Sequence, residues 1–305
     1  MLTISQLQHL FAEHNIRPDK RLGQNFLIDQ HIFDKIVAAA DLSPDDQVVE
    51  VGSGVGNLTM FLAPRVRHVV AVEKSRFLLP LLEETLKPHP NTTIVFGDIL
   101  DLSIPELLNK FPPLAKGDKG GFSRTPSTLP PSKGGQGGFK LVANIPYNIT
   151  GHLLRQFLDT GTPPSKLVLL VQRDVAERLL AEPPDMNLLA CSVRYFADVR
   201  IEARVSPNCF WPAPQVDSSI IVITPRPKAY DATLAQKDRF FQLLRAGYSQ
   251  KRKQVAALLA TELGIKKATV GKWLADLGLS AQARAQEMLV IQWLCLAEHD
   301  SIHYC

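Results

Sequence analysis

The sequence predicts an α/β fold, with a parallel-dominated seven-stranded sheet in residues 1–224 and a small helical domain in residues 225–305. Three features predict it. Between Asp46 and Asp174, short β-branched runs alternate with apolar residues at helical spacing, the pattern of strand–helix–strand units with helices on both faces of a sheet. Two more strand-like runs follow, "VRIEARV" and "SSIIVITP". From Ala235 onward the apolar residues recur at helical spacing only.

The opening "MLTISQLQHLFAEHN" reads as a short amphipathic helix, without the basic start and cleavage site of a signal peptide. "QVVEVG", "HVVAVE", "TTIVFGD", "LVANIPY" and "KLVLLVQRD" are the five central strands. The Gly-, Pro-, Ser- and Lys-rich stretch Pro112 to Lys140 lacks periodicity and is expected to be a flexible surface insertion. "NLLACSVRYFA" reads as a helix, and the prolines and aromatics of "SPNCFWPAPQVD" predict an irregular, shaped loop. The last elements expected are "DRFFQLLRAGYSQKRKQVAALLATEL", "ATVGKWLADLGL" and "AQEMLVIQWLCLAEH".

With 45% apolar and 21% charged residues in 305, the chain can bury a sizeable core. No apolar run approaches the ~20 residues that span a bilayer, so a cytoplasmic protein without membrane contact is expected. The cysteines Cys191, Cys209, Cys295 and Cys305 are scattered and form no C-x-x-C pair, which argues against a disulfide framework or a metal site. Residues 1–112 hold 10 Lys+Arg against 14 Asp+Glu, whereas residues 225–305 hold 12 against 7. A basic C-terminal lobe suits a polyanion such as nucleic acid.

Gly52, Gly54 and Gly56 follow the first central strand and precede a helix, where glycines let a ligand approach the backbone and the helix N-terminus. Glu73 ends the next strand, placed to accept hydrogen bonds from ribose hydroxyls. Asp98 ends the third, suited to an adenine amino group. Together they predict an adenosine-containing cofactor, a nicotinamide dinucleotide being the alternative.

The fourth strand decides between them. A nicotinamide enzyme has no use for the Asn-Ile-Pro-Tyr that ends it at Asn144 to Tyr147, but methylation of an exocyclic base amine uses each part. The lone pair of such a nitrogen is delocalised into the ring. Carbonyls of Asn144 and Ile145 that accept its two N–H groups would draw it toward tetrahedral geometry. Pro146 would fix the backbone, and Tyr147 would stack on the base for roughly 1–3 kcal/mol. Phe210 and Trp211 are candidates for the opposite wall of a pocket for an extruded base, with core packing as the other reading. Lys251, Arg252 and Lys253, expected on a helix, are candidates for phosphate contact.

These motifs resemble the ribosomal RNA adenine N6-methyltransferases, and within them the branch that dimethylates two adjacent adenosines near the 3′ end of small-subunit rRNA. "RLGQNFLID", "EVGSGVGNLT", Glu73, "GDIL", "NIPY" and "FWPAPQVDS" match that family's motifs in order. The resemblance implies a Rossmann-like, S-adenosylmethionine-dependent methyltransferase sheet. It implies cofactor contacts at Gln24, Asn25, Leu27, Gly52, Gly54, Glu73, Asp98 and Asn144, with Phe210 at the target adenine. It also implies an assembling small ribosomal subunit as substrate and a monomeric enzyme. "SQKRKQVAALL" and "ARAQEMLVIQWLCLA" resemble the small-subunit branch, against the antibiotic-resistance branch that modifies large-subunit rRNA and a transcription factor of the same ancestry. Two departures stand out. Gln215 occupies a position where the family usually has Lys, and the segment 112–140 replaces a short connection.

Overall fold

The computed structural model describes residues 1–19, 23–112, 138–146, 149–226 and 233–299. The chain divides into two compact units, Met1–Ala176 with Val199–Pro225, and Glu177–Asp198 with Arg226–Cys305. Glu177–Asp198 thus joins the C-terminal helices, whereas the sequence reading put it with the sheet.

The first unit is built on strands β1 (Phe26–Leu27), β2 (Gln47–Val51), β3 (His68–Glu73), β4 (Thr92–Phe96), β5 (Phe139–Asn144), β6 (Lys166–Gln172), β7 (Ala197–Val205), β8 (Phe210–Trp211) and β9 (Ser218–Pro225). Seven of them form one sheet in the order β4-β3-β2-β5-β6-β9-β7. Strands β2 to β6 are parallel, and β9 runs antiparallel to β6. Its helices are α1 (Ile4–Glu13), α2 (Gln30–Ala40), α3 (Asn57–Leu62), α4 (Leu79–Leu86), α5 (Ile104–Leu108), α6 (Thr150–Leu158) and the start of α7 (Arg173–Leu179).

Near-continuous apolar runs suit the central strands because both faces are covered. Val48, Val69, Val142 and Val168 meet Ile32, Phe33 and Ile36 of α2 and Leu58 and Leu62 of α3. Val49, Val70, Leu141 and Leu169 point to the opposite face and are equally buried. On that face Phe157 of α6 lies 6.4 Å from Phe139, centroid to centroid. Truncating a fully buried ring such as Phe33 to Ala costs about 3–5 kcal/mol. Asp29 caps α2 by accepting from the Ile32 amide at 3.2 Å.

Two expectations change in this unit. The insertion ends earlier than Lys140, because Phe139 and Lys140 already pair with Gln47 and Val48 as part of β5. Lys140 is held there by Asp46 at 2.7 Å. Residues 113–137 lie outside the described residues. The loop expected to be irregular contains a 3-10 turn, Pro207–Cys209, and then β8. Strand β8 forms despite the nearby prolines because β1 supplies its partner, with Leu27 opposite Phe210 and Phe26 opposite Trp211.

The second unit contains α8 (Leu188–Phe196), α9 (Leu234–Tyr248), α10 (Val255–Leu263), α11 (Lys267–Asp276) and α12 (Val290–His299). The expected long helix through "SQKRKQ" is two helices, and Lys251, Arg252 and Lys253 sit exposed in the turn between α9 and α10. Three adjacent cations repel one another and gain more solvation in an exposed turn than on a helix that must also bury an apolar face. Helices α9 and α12 approach closely at Gly247, where an added Cβ would lie 2.2 Å from the fully buried Trp293 ring.

Candidate active site

Because β2 to β5 are parallel, their carboxyl ends open on one edge of the sheet, where open α/β sheets bind ligands. A cavity of about 210 Å³ lies there. Its lining includes Gln24, Asn25, Leu27, Gly52, Gly54, Glu73, Asp98 and Asn144, all eight residues expected to hold a cofactor.

The turn after β2 requires glycine. Gly52 and Gly54 adopt φ of +73° and +58°, a left-handed region in which side chains are strained. A Cβ on Gly54 would also press within 3.2 Å of the Phe26 ring. The Gly52 amide donates to the Val72 carbonyl at 2.9 Å, which ties the turn to β3.

Glu73 is buried at the end of β3 and accepts from the Gly54 and Ser75 amides, each at 2.7 Å. Burial raises its pKa, while these amides and that of Lys74 oppose the rise. Asp98 accepts from the Leu100 amide at 3.1 Å and pairs with Lys74. Partial burial pushes the Asp98 carboxyl upward, but the Lys74 and Leu100 bonds and the lysine charge together hold it below its usual value. Two neighbouring strand ends thus carry carboxylates under opposite constraints.

At the end of β5, the Asn144 side-chain NH₂ donates to the Asn25 carbonyl at 3.2 Å. This bond sets the rotation of the amide and so the placement of Oδ1, an acceptor for an N–H group. Asn144 is half-buried, Ile145 is buried, and both line the cavity with Pro146. A Cβ on Gly52 would sit 3.4 Å from the Asn144 backbone oxygen, so the glycine turn and the strand end are in contact. Tyr147 lies outside the described residues.

The segment before α2 closes one side. Gln24 Oε1 accepts from the Asp19 amide at 2.8 Å, and Asn25 Nδ2 donates to the Gly23 carbonyl at 3.2 Å. Asn57 Nδ2 donates to the Leu27 carbonyl at 3.0 Å, anchoring β1 to α3.

Phe210 is the residue expected at the target adenine. It is buried in the core with Leu27, Phe33 and Val205 and is not among the residues that line the cavity. Pairing with β1 turns its ring inward, so it supports the strand that carries Leu27. Lys251, Arg252 and Lys253 belong to the other compact unit.

Two charged lining residues escaped the sequence reading. Lys74 is the partner of Asp98. Glu50, only 1% exposed, receives a 2.5 Å hydrogen bond from Thr59 Oγ1. Burial pushes its pKa up to about 8; Thr59 opposes the rise and Glu73 adds to it. A charge inside the apolar run "QVVEV" was the signal. Among the described residues no cluster of three or more His, Cys, Asp or Glu could hold a metal ion, and no helix is long and apolar enough to cross a membrane.

Comparison with known proteins extends this picture. A family profile for ribosomal RNA adenine dimethylase matches residues 14–297. The chain is 38% identical over 295 residues to a ribosomal RNA small subunit methyltransferase A of Pelotomaculum thermopropionicum, covering 96% of this chain and 94% of that one. Its fold is similar to that of a dimethyladenosine transferase from Plasmodium falciparum, with a TM-score of 0.69 and 23% identity over 90% of this chain and 98% of that one. The 23S rRNA methyltransferase ErmE is similar too, with a TM-score of 0.67 and 25% identity over the same shares. With a Rossmann-like methyltransferase sheet and a family match over nearly its whole length, the chain belongs to the ribosomal RNA adenine dimethylase family.

Proposed function

We propose that this enzyme transfers methyl groups from S-adenosylmethionine to N6 of two adjacent adenosines near the 3′ end of small-subunit rRNA, giving N6,N6-dimethyladenosine during subunit assembly. The observation that carries the reading is Asn144. Its amide is rotated by a bond to Asn25 and stands beside the glycine turn in one cavity with Glu73 and Asp98.

The lining fits an adenosine cofactor. Gly52 and Gly54 leave room that a Cβ would fill, and Glu73 is a buried acceptor at the strand end. When bound, S-adenosylmethionine supplies an electrophilic methyl group on a sulfonium sulfur. Glu73 would accept the ribose hydroxyls, Asp98 the adenine amine, and Gln24, Asn25 and Leu27 would cover the ligand. The Asn144 Oδ1 and the Ile145 carbonyl would accept the two N–H groups of the target amine and aim its lone pair, with Tyr147 stacked on the base. No strong base is required, because catalysis rests on orientation and on dipoles set in advance.

The small-subunit name of a relative 38% identical supports that substrate over the large-subunit one of ErmE, at 25%. On this reading Lys251, Arg252 and Lys253 contact RNA phosphates, and the enzyme acts in the cytoplasm as a monomer. The test is transfer of radiolabelled methyl to separated ribosomal subunits that lack the relevant methyl groups, followed by nucleoside analysis. Dimethyladenosine in small-subunit RNA is the expected product. Label only in large-subunit RNA would overturn the substrate, and no transfer to either would overturn the activity.

A further inference from the structure

Glu50 lies in the cavity and has no part in the chemistry above. It stands on β2 opposite Ala71 of β3 and Val142 of β5, two residues before Gly52. Among the described residues, few charged groups face it. From β3 comes Glu73, a like charge; from α3 comes only the Thr59 hydroxyl. Lys140 on β5 is at the far end of its strand with Asp46. His31, Asp34 and Lys35 of α2 are exposed. Lys74, the cation in the cavity lining, is paired with Asp98.

An ionised carboxylate so deeply buried is costly without a cation beside it. Burial accordingly holds Glu50 in its neutral form at pH 7. The strand order supplies the cation. Glu73 is on β3 and Asn144 on β5, with β2 between them. A ligand whose ribose meets Glu73 and whose methyl group meets the amine at Asn144 must cross β2 with the portion that joins them. In S-adenosylmethionine that portion carries the sulfonium and leads to the ammonium.

We infer that Glu50 compensates the positive charge of S-adenosylmethionine, and that binding exchanges the carboxyl proton of Glu50 for the ligand's cation. The inference rests on the cofactor reading above. One proton leaves the Glu50 carboxyl for the buffer as the ligand enters, and the carboxylate left behind neutralises the added charge. The sign follows from linkage. Below about pH 8 the free protein holds the proton and the complex does not, so affinity rises with pH, by up to about tenfold per unit, and levels off above it. Glu50 is thus a positioning residue whose protonation reports which ligand is bound.

Calorimetric titration of the full chain at pH 7, in buffers of different ionisation enthalpy, tests this. S-adenosylmethionine should release close to one proton per site. 5′-Methylthioadenosine, which has the nucleoside without the charge, should release none. Glu50→Gln should bind S-adenosylmethionine without release. Binding to the wild-type chain with no proton released would overturn the inference, whatever the variant does, as would release that persists in Glu50→Gln. Failure of S-adenosylmethionine to bind at any pH, by contrast, would bring down the cofactor reading itself.

Discussion

At the β3 and β4 ends of the cavity, Glu73 is held by two backbone amides and Asp98 by an amide and Lys74. At the β5 end, Asn144 has, among the described residues, one side-chain bond, to Asn25 in the segment before α2. On the proposed function, the difference separates two tasks. Acceptors fixed by backbone are suited to a ligand that binds the same way before and after reaction, whereas an uncharged amide that aims a lone pair matters most in the transition state. Substitutions on the two sides should therefore fail differently.

Asn144→Ala gives the largest expected effect. Turnover should fall by about 10²- to 10³-fold, the usual result of removing one preorganised dipole, while the Kd for S-adenosylmethionine changes only a few-fold. Steady-state kinetics beside direct binding separates the two.

Glu50 provides the next effect, on stability. Its folded pKa of about 8 lies above the ordinary carboxylate value of 4.5, so between those values the folded state holds a proton that the unfolded state has lost. Stability from this group is present below the lower value and is lost as pH rises to the upper one, by on the order of a few kcal/mol. Denaturant melts at pH 5 and pH 8 should show that loss in the wild type and a smaller one in Glu50→Gln. Equal losses would remove the buried acid from the account.

Glu73→Ala should sharpen the contrast from the other side. Losing charged hydrogen bonds to the ribose should weaken S-adenosylmethionine by roughly 10- to 100-fold, with turnover at saturation far less affected. A variant that binds normally would show that Glu73 only ties the glycine turn. Replacing Lys251, Arg252 and Lys253 by Ala should have the smallest effect, flattening the salt dependence of RNA binding by about 0.7 per lost phosphate contact. An unchanged slope would make that turn a solvated surface.

Much of this was legible in residue order. Alternation of strand and helix patterns located β2 to β6, and Gly52, Glu73, Asp98 and Asn144 were found because each ends a strand or follows one. What local pattern does not carry was not legible. The β1–β8 pair joins two-residue segments far apart in the chain, and it turns Phe210 into the core. The break between α9 and α10 has no proline or glycine to mark it. Glu50 could be seen as a charge in an apolar run, but its protonation follows from burial, which only the assembled sheet provides.

The most direct test of the division between the two ends is S-adenosylmethionine affinity and saturated turnover, measured together in Asn144→Ala and Glu73→Ala. Lost turnover with retained binding in the first, and lost binding with retained turnover in the second, is the predicted result. Parallel losses of both quantities in both variants would contradict it and make the cavity a single undivided site.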